Sequence, residues 1–170
     1  MSARGFTLVE LLVTLVVFAI VAGFALPSFS KLVHETRTHS RALELYQATQ
    51  LARTSAIVHN RRVTLSAEGQ WSDGWKVFVD DNHNGQWDLG EKLLASADAN
   101  TEIRIVGNQQ VANHVSFIGT GESRNTNGTS GGAFQAGTIT VCAAEDGPGY
   151  EMVLARSGRL RLRAIPMAQC

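Results

Sequence analysis

One segment near the start of the chain limits what the rest can become. From Phe6 to Leu26 every residue except Thr7, Glu10 and Thr14 is apolar or glycine. As a helix these 21 residues rise about 31 Å, close to the thickness of a bilayer core of about 30 Å. A short basic leader, Met1–Gly5 with Arg4, precedes the run. The single carboxylate is the anomaly. At the centre of a membrane helix a charge costs about 2.5–3.5 kcal/mol on insertion scales, and Glu10 lies nearer one end. Glu10 is then either a residue snorkelling to the interface or a partner for a positive charge. A cut after Gly5 would create such a charge at the amine of Phe6, for Glu10 of a neighbouring copy to meet.

Gly5-Phe6-Thr7-Leu8-Val9-Glu10-Leu11-Leu12-Val13 resembles the class III signal of type IV pilins and type II secretion pseudopilins. The resemblance implies cleavage after Gly5 by a prepilin peptidase and methylation of the Phe6 amine. It also implies assembly with other pilins or pseudopilins through the apolar helix, from the inner membrane into a filament. An ordinary secretory signal needs a shorter apolar core and a small-residue cleavage site, which Gly23-Phe24-Ala25 supplies poorly. A plain single-pass anchor is the other alternative.

The remaining chain is long enough for one domain with its own core. The expected divisions are a leader over 1–5, a transmembrane or filament-core helix over 6–26, an amphipathic helix over 27–60 and a β-rich periplasmic domain over 61–170. Pro27 should kink the helix without ending it. Leu45, Ala48, Ala52 and Ala56 recur at helical steps, with Tyr46 and Leu51 beside them and Arg41, Glu44, Gln47 and Arg53 opposite. Alternation then marks strands at 62–66, 75–79, 102–106, 115–118, 137–142 and 150–154. The stretch from Gly119 to Gly132 reads as a mobile loop. The expected class is α+β, a long N-terminal helix packed on antiparallel sheet.

This layout resembles the FimT, FimU and GspH group of minor pilins and pseudopilins. Trp71–Asp80 is similar to that group's central hairpin, and Ser157-Gly158-Arg159-Leu160-Arg161 to its C-terminal Gly-Arg-x-Arg motif. If the leader reading holds, the domain faces the periplasm, where disulfides persist. Cys142 and Cys170 would then be bonded, with reduced thiols as the alternative. Neither lies in a Cys-x-x-Cys pair and no histidine cluster accompanies them, which argues against zinc.

Formal net charge is zero, so bulk charge does not announce a nucleic-acid binder. Local charge does. Arg156, Arg159, Arg161 and Arg163 lie close together, with no acid after Glu151. In a strand over 159–163 the three odd-numbered arginines share one face, about 6.7 Å apart, and Leu160 and Leu162 share the other. Arginine binds phosphate bidentately, so the row suits a phosphate backbone; a solvated edge strand that merely deters pairing is the alternative. In FimT-like pilins the Gly-Arg-x-Arg tail is implicated in DNA binding during transformation, which the resemblance carries to Gly158, Arg159 and Arg161. Arg163 is added from strand geometry alone.

Asp80, Asn82, Asn84, Asp88 and Glu91, with Gly85 at the turn, fit a calcium-loop template, but Val77–Val79 reads as strand where an EF-hand needs helix. The expectation is a polar hairpin turn without metal, and no cofactor. His34, His39, His59, His83 and His114 are scattered, and no nucleophile elbow or phosphate loop is present. The chain is not expected to be an enzyme. The leading function is a minor pilin of a type IV pilus that binds DNA near the tip. The alternative is an assembly subunit, either a tip-priming minor pilin or an H-class type II secretion pseudopilin.

Overall fold

The computed structural model describes residues 7–129, 131–143 and 148–170, less the side chains of residues 24–28, 30, 31 and 167. Gly5 and Phe6 lie outside them. A single helix, α1 (Leu8–His59), is capped by Thr7, whose hydroxyl accepts from Glu10 N at 3.2 Å. It runs unbroken through Pro27 and stops at Asn60, which adopts the left-handed conformation at φ 47° and returns its N–H to Ala56 O. Asparagine tolerates that conformation better than most residues, which makes it an effective C-cap. From Leu8 to Val21 the large apolar side chains are 54–75% exposed on every side of the helix. A helix apolar all round belongs inside a larger core or a membrane. Among the described residues, however, no helix is long and apolar enough to cross a membrane, and the expected span over 6–26 reaches beyond them.

The C-terminal half of α1 carries two antiparallel sheets. The first runs in the order β3 (Leu93–Ala97), β2 (Gln70–Val79), β1 (Val63–Glu68), β5 (His114–Phe117). The second runs β4 (Ile103–Gly107), β6 (Gly137–Ala143), β7 (Gly149–Leu154), β8 (Leu160–Ile165). This is the α+β architecture expected. Thr38, Ala42, Leu45, Thr49, Ala52 and Ala56 are at most 1% exposed and form the helix face that meets both sheets. Small side chains at three- and four-residue steps let the helix sit close, so β-branched and aromatic residues from the strands fill the space. Trp71, Trp75, Leu65, Val77, Val115 and Phe117 come from the first sheet, and Ile105, Ile139, Val141 and Met152 from the second.

Several expectations change. Arg41, assigned to the polar side, is buried at 7% exposure, stacked over the Trp75 ring at 4.1 Å and donating to Asp98 O at 2.6 Å. Trp71–Val79 lies within one long strand, β2, and Asp80 just beyond it, where a hairpin was expected. Strand β3 was not anticipated, because Leu-Leu-Ala-Ser-Ala has weak strand propensity and lies at a half-exposed edge. The described residues between Gly119 and Gly132 are tied down rather than free. Arg124 N donates to Ser116 O, Asn125 N donates to Ala133 O, and the Arg124 guanidinium lies 3.7 Å over Phe134.

What ties the loop is a buried polar relay. Arg62, 4% exposed, donates to Ser116 Oγ at 2.8 Å, to Arg124 O at 3.1 Å and to Gly131 O at 3.4 Å. Ser116 and Thr64 hydroxyls lie 2.9 Å apart, and Thr64 Oγ1 donates to Asp80 Oδ2 at 2.8 Å. Thr64 spends its one proton on Asp80, so Ser116 donates to Thr64. Asp80 also accepts from the backbone N–H groups of Asn84 and Gly85. Burial lowers the pKa of Arg62, partly opposed by Asp80. His114, bonded to Thr126 through Nε2 at 2.9 Å, is likewise lowered by burial, with Asp80 opposing and Arg62 reinforcing.

Two outcomes are expected. Arg62→Met removes the donor from the buried Ser116 hydroxyl and from the Arg124 and Gly131 carbonyls, and removes a positive charge that acts on buried Asp80. It should cost about 3 kcal/mol or more in urea unfolding, since each buried polar group left unpaired costs about 1–3 kcal/mol. The second concerns pH. The unfolded chain protonates His114 near its ordinary value of about 6.5, whereas the folded chain does so only at lower pH. Stability therefore falls as pH drops through about 6.5, and His114→Gln should flatten that part of the stability–pH curve.

Candidate nucleic-acid interface

The C-terminal arginines sit on the β7–β8 hairpin. Ala155, Arg156, Ser157 and Gly158 form its turn, closed by Gly158 N to Ala155 O at 2.8 Å and Ala155 N to Arg159 O at 2.9 Å. Gly158 takes φ 75°, the left-handed residue that follows such a turn in a bulged hairpin. It is buried, and a Cβ there would collide with Gly121 O. Gly158 is therefore a turn and docking residue, not a surface contact. Arg53 of α1 locks the same seam, donating from Nε to Gly121 O at 3.0 Å and from Nη2 to Ser157 O at 3.4 Å. Sequence reasoning placed Arg53 on the solvent side.

From this turn the register is set: Leu154 faces Leu160, Val153 faces Arg161, and Glu151 faces Arg163. Cross-strand partners project to the same face, so Arg161 and Arg163 share the outer face with Thr138, Thr140, Val153, Val106 and Arg104. Leu160 is buried on the inner face and Leu162 partly so. The strand begins at Leu160, with Arg159 just before it. The guanidinium groups of Arg156, Arg159 and Arg161 are exposed and carry no hydrogen bond or ion pair among the described residues. Arg163 differs. Its Nη2 lies 2.5 Å and its Nε 2.8 Å from Glu151 Oε2. The expected row of three equivalent arginines is thus two open ones and one already paired. A hint was legible: with Ala155 and Arg159 closing a hairpin around Arg156-Ser157-Gly158, Glu151 and Arg163 lie equally far from the closing pair and face each other.

The far end of the hairpin is strapped down. Beyond β8 the chain crosses the outer face to a Cys142–Cys170 disulfide, Cα–Cα 5.8 Å, and Arg104 Nη2 donates to Cys170 O at 2.5 Å. Gly149 lies beneath this crossing, where a Cβ would collide with Cys170 Sγ. The arginine strand is therefore fixed at its turn by Arg53 and at its end by the disulfide.

The other sequence-derived sites are less complete. Glu10 occupies the first turn of α1, three residues after its Thr7 cap, where a carboxylate complements the helix dipole. In the Asp80–Glu91 loop the acids serve the loop itself. Glu91 caps the N–H groups of Asp81 and Asp88, while Asn82 and Asn84 both donate to Asp88 Oδ2 at 2.7 Å. Gly85 supplies the positive φ expected of it, and this turn links β2 to β3. No group of three or more His, Cys, Asp or Glu residues is placed to hold a metal ion among the described residues.

Known proteins share both halves of this plan. Residues 1–26 match the prokaryotic N-terminal methylation motif, and residues 41–158 match the family of the type II transport protein GspH. The pilin-like protein PilA1 of Thermus thermophilus is 35% identical over 98 residues, which span 56% of this chain and 60% of that protein. A fimbrial protein of Pseudomonas aeruginosa is 28% identical over 149 residues, 86% of this chain and 82% of its own length. The crystal structure of the Pseudomonas aeruginosa type IV minor pilin FimU superposes with a TM-score of 0.58 at 19% identity. That superposition covers 75% of this chain and 89% of FimU, and it shows a common fold. With a methylation motif on the apolar helix and the GspH match across most of the domain, the chain belongs to the GspH family, among the type IV pilin-like minor pilins and pseudopilins.

Proposed function

We propose that this chain is a minor pilin that binds DNA without sequence preference through its C-terminal arginines. In this reading a prepilin peptidase cuts after Gly5 and methylates Phe6. The chain waits in the inner membrane as a single-pass protein with a periplasmic domain, then assembles near the pilus tip for DNA uptake. Glu10 pairs with the Phe6 amine of a neighbouring subunit. Arg159 and Arg161 contact phosphates, with Arg156 at the adjoining turn, and phosphate contacts position a protein on DNA without reading its bases. The observation that carries the reading is a set of unneutralised guanidinium groups on a hairpin clamped at both ends. Rigid presentation lowers the entropy lost on binding.

A second reading has its own support. The family match is to a type II transport protein, which favours an assembly subunit that makes protein contacts only. The pairing of Arg163 with Glu151 also reduces the charge available to DNA.

Duplex binding by the full chain in detergent, followed across a salt series, separates the two. Arg159→Ala/Arg161→Ala should lower the log–log salt slope by about 1.8, at about 0.9 for each lost phosphate contact. An unchanged slope removes these residues as the contact surface, and no binding by the unmutated chain favours the assembly subunit. Processing has an independent readout. The intact mass of the mature protein should correspond to a chain that begins at Phe6 and carries one added methyl group.

A further inference from the structure

Glu151 is the one acidic residue in the four strands of the second sheet. It stands in the middle of the outer face, between Thr140 on β6 and Arg163 on β8. The two members of the pair are unequally placed. The Glu151 side chain is 18% exposed, whereas the Arg163 side chain is 60% exposed. The carboxylate is largely covered, and the arginine reaches back to it with two donors on one oxygen. Arg159 and Arg161, in the same alternation, have no such counter-charge among the described residues.

Resting on the reading of this face as a phosphate-binding surface, we propose that Glu151 withholds Arg163 from the anionic ligand and ends the row of contacts at Arg161. A phosphate approaching Arg163 must take both donors from Glu151 and leave a partly buried carboxylate beside a second negative charge. Like charges at close range in a poorly solvated setting repel strongly, so the phosphate is turned away there. The same carboxylate limits how far along β8 a polyanion can lie. Glu151 acts through Arg163 and does not itself touch the ligand.

The test is a mutant cycle on the full chain in detergent with its disulfide intact, using a DNA duplex across a salt series. Arg163→Ala alone should leave the salt slope unchanged. Glu151→Gln, which keeps the shape and one acceptor, should steepen it by about 0.9. The affinity loss between 50 and 200 mM salt then grows by about 3.5-fold, the same increment expressed as a ratio. Adding Arg163→Ala to Glu151→Gln should return the slope to that of the unmutated chain. The proposal is overturned if Arg163→Ala alone lowers the slope, or if the double variant stays as steep as Glu151→Gln. The first result would mean that Arg163 already binds, and the second that the gain comes only from removing a negative charge. If the unmutated chain binds no duplex, the DNA reading fails, and retention on a heparin column decides this inference separately. Glu151→Gln must then elute at higher salt, and Arg163→Ala must cancel the shift. Thermal melting of each variant confirms that the fold is unchanged.

Discussion

Both sheets are assembled on one face of one helix, and that packing is the constraint from which the other features follow. Thr38, Ala42, Leu45, Thr49, Ala52 and Ala56 leave almost no surface to solvent. With so little volume on the helix side, the strands approach closely and their large residues, Trp71, Trp75, Phe117 and Met152, become the core. The same helix continues away from the domain as Leu8–Val21, apolar on every side and unburied within a single chain. One element thus serves two cores: its small-residue face completes the domain, and its N-terminal half needs a membrane or other subunits. In the proposed reading, assembly with other pilins gives that half its physical destination.

A second theme is how the domain uses its arginines. Several are structural. Arg62 organises the crossing from Gly119 to Gly132 from beneath, Arg41 stacks on Trp75, and Arg53 holds the β7–β8 turn against Gly121. Each donates to backbone carbonyls of segments remote in the chain, a role suited to a planar group with five donors. Arg163 is matched by Glu151. What remains open, Arg156, Arg159 and Arg161, is concentrated on one hairpin. A chain with no net charge can in this way present a local surface of one sign, because charges used internally no longer act at the surface.

Much of this was legible in the residues. The apolar run with its one carboxylate, the helical spacing of Leu45, Ala52 and Ala56, and the alternation in six of the eight strands follow from local periodicity, which any sequence displays directly. Asn60 ended the helix where the pattern broke. Strand β3 stayed hidden because Leu-Leu-Ala-Ser-Ala carries neither alternation nor strand propensity, and its pairing with β2 alone makes it a strand. The crossing at 119–132 read as free because its residues are small and polar, while its restraint comes from Arg62, more than fifty residues earlier in the chain.

The arginine tail shows the same division at the scale of single side chains. Period-two geometry placed Arg159, Arg161 and Arg163 on one face of a strand and its leucines on the other, and the residues alone determined that. They did not determine which guanidinium groups are free. That depended on strand register, which set Glu151 opposite Arg163. It also depended on the approach of Gly121 to Gly158, which buried the motif glycine, and on the strap from Cys170 to Cys142. Local pattern fixes direction because it is written in the covalent chain; charge pairing and burial depend on distances between remote segments, and only the tertiary structure sets those.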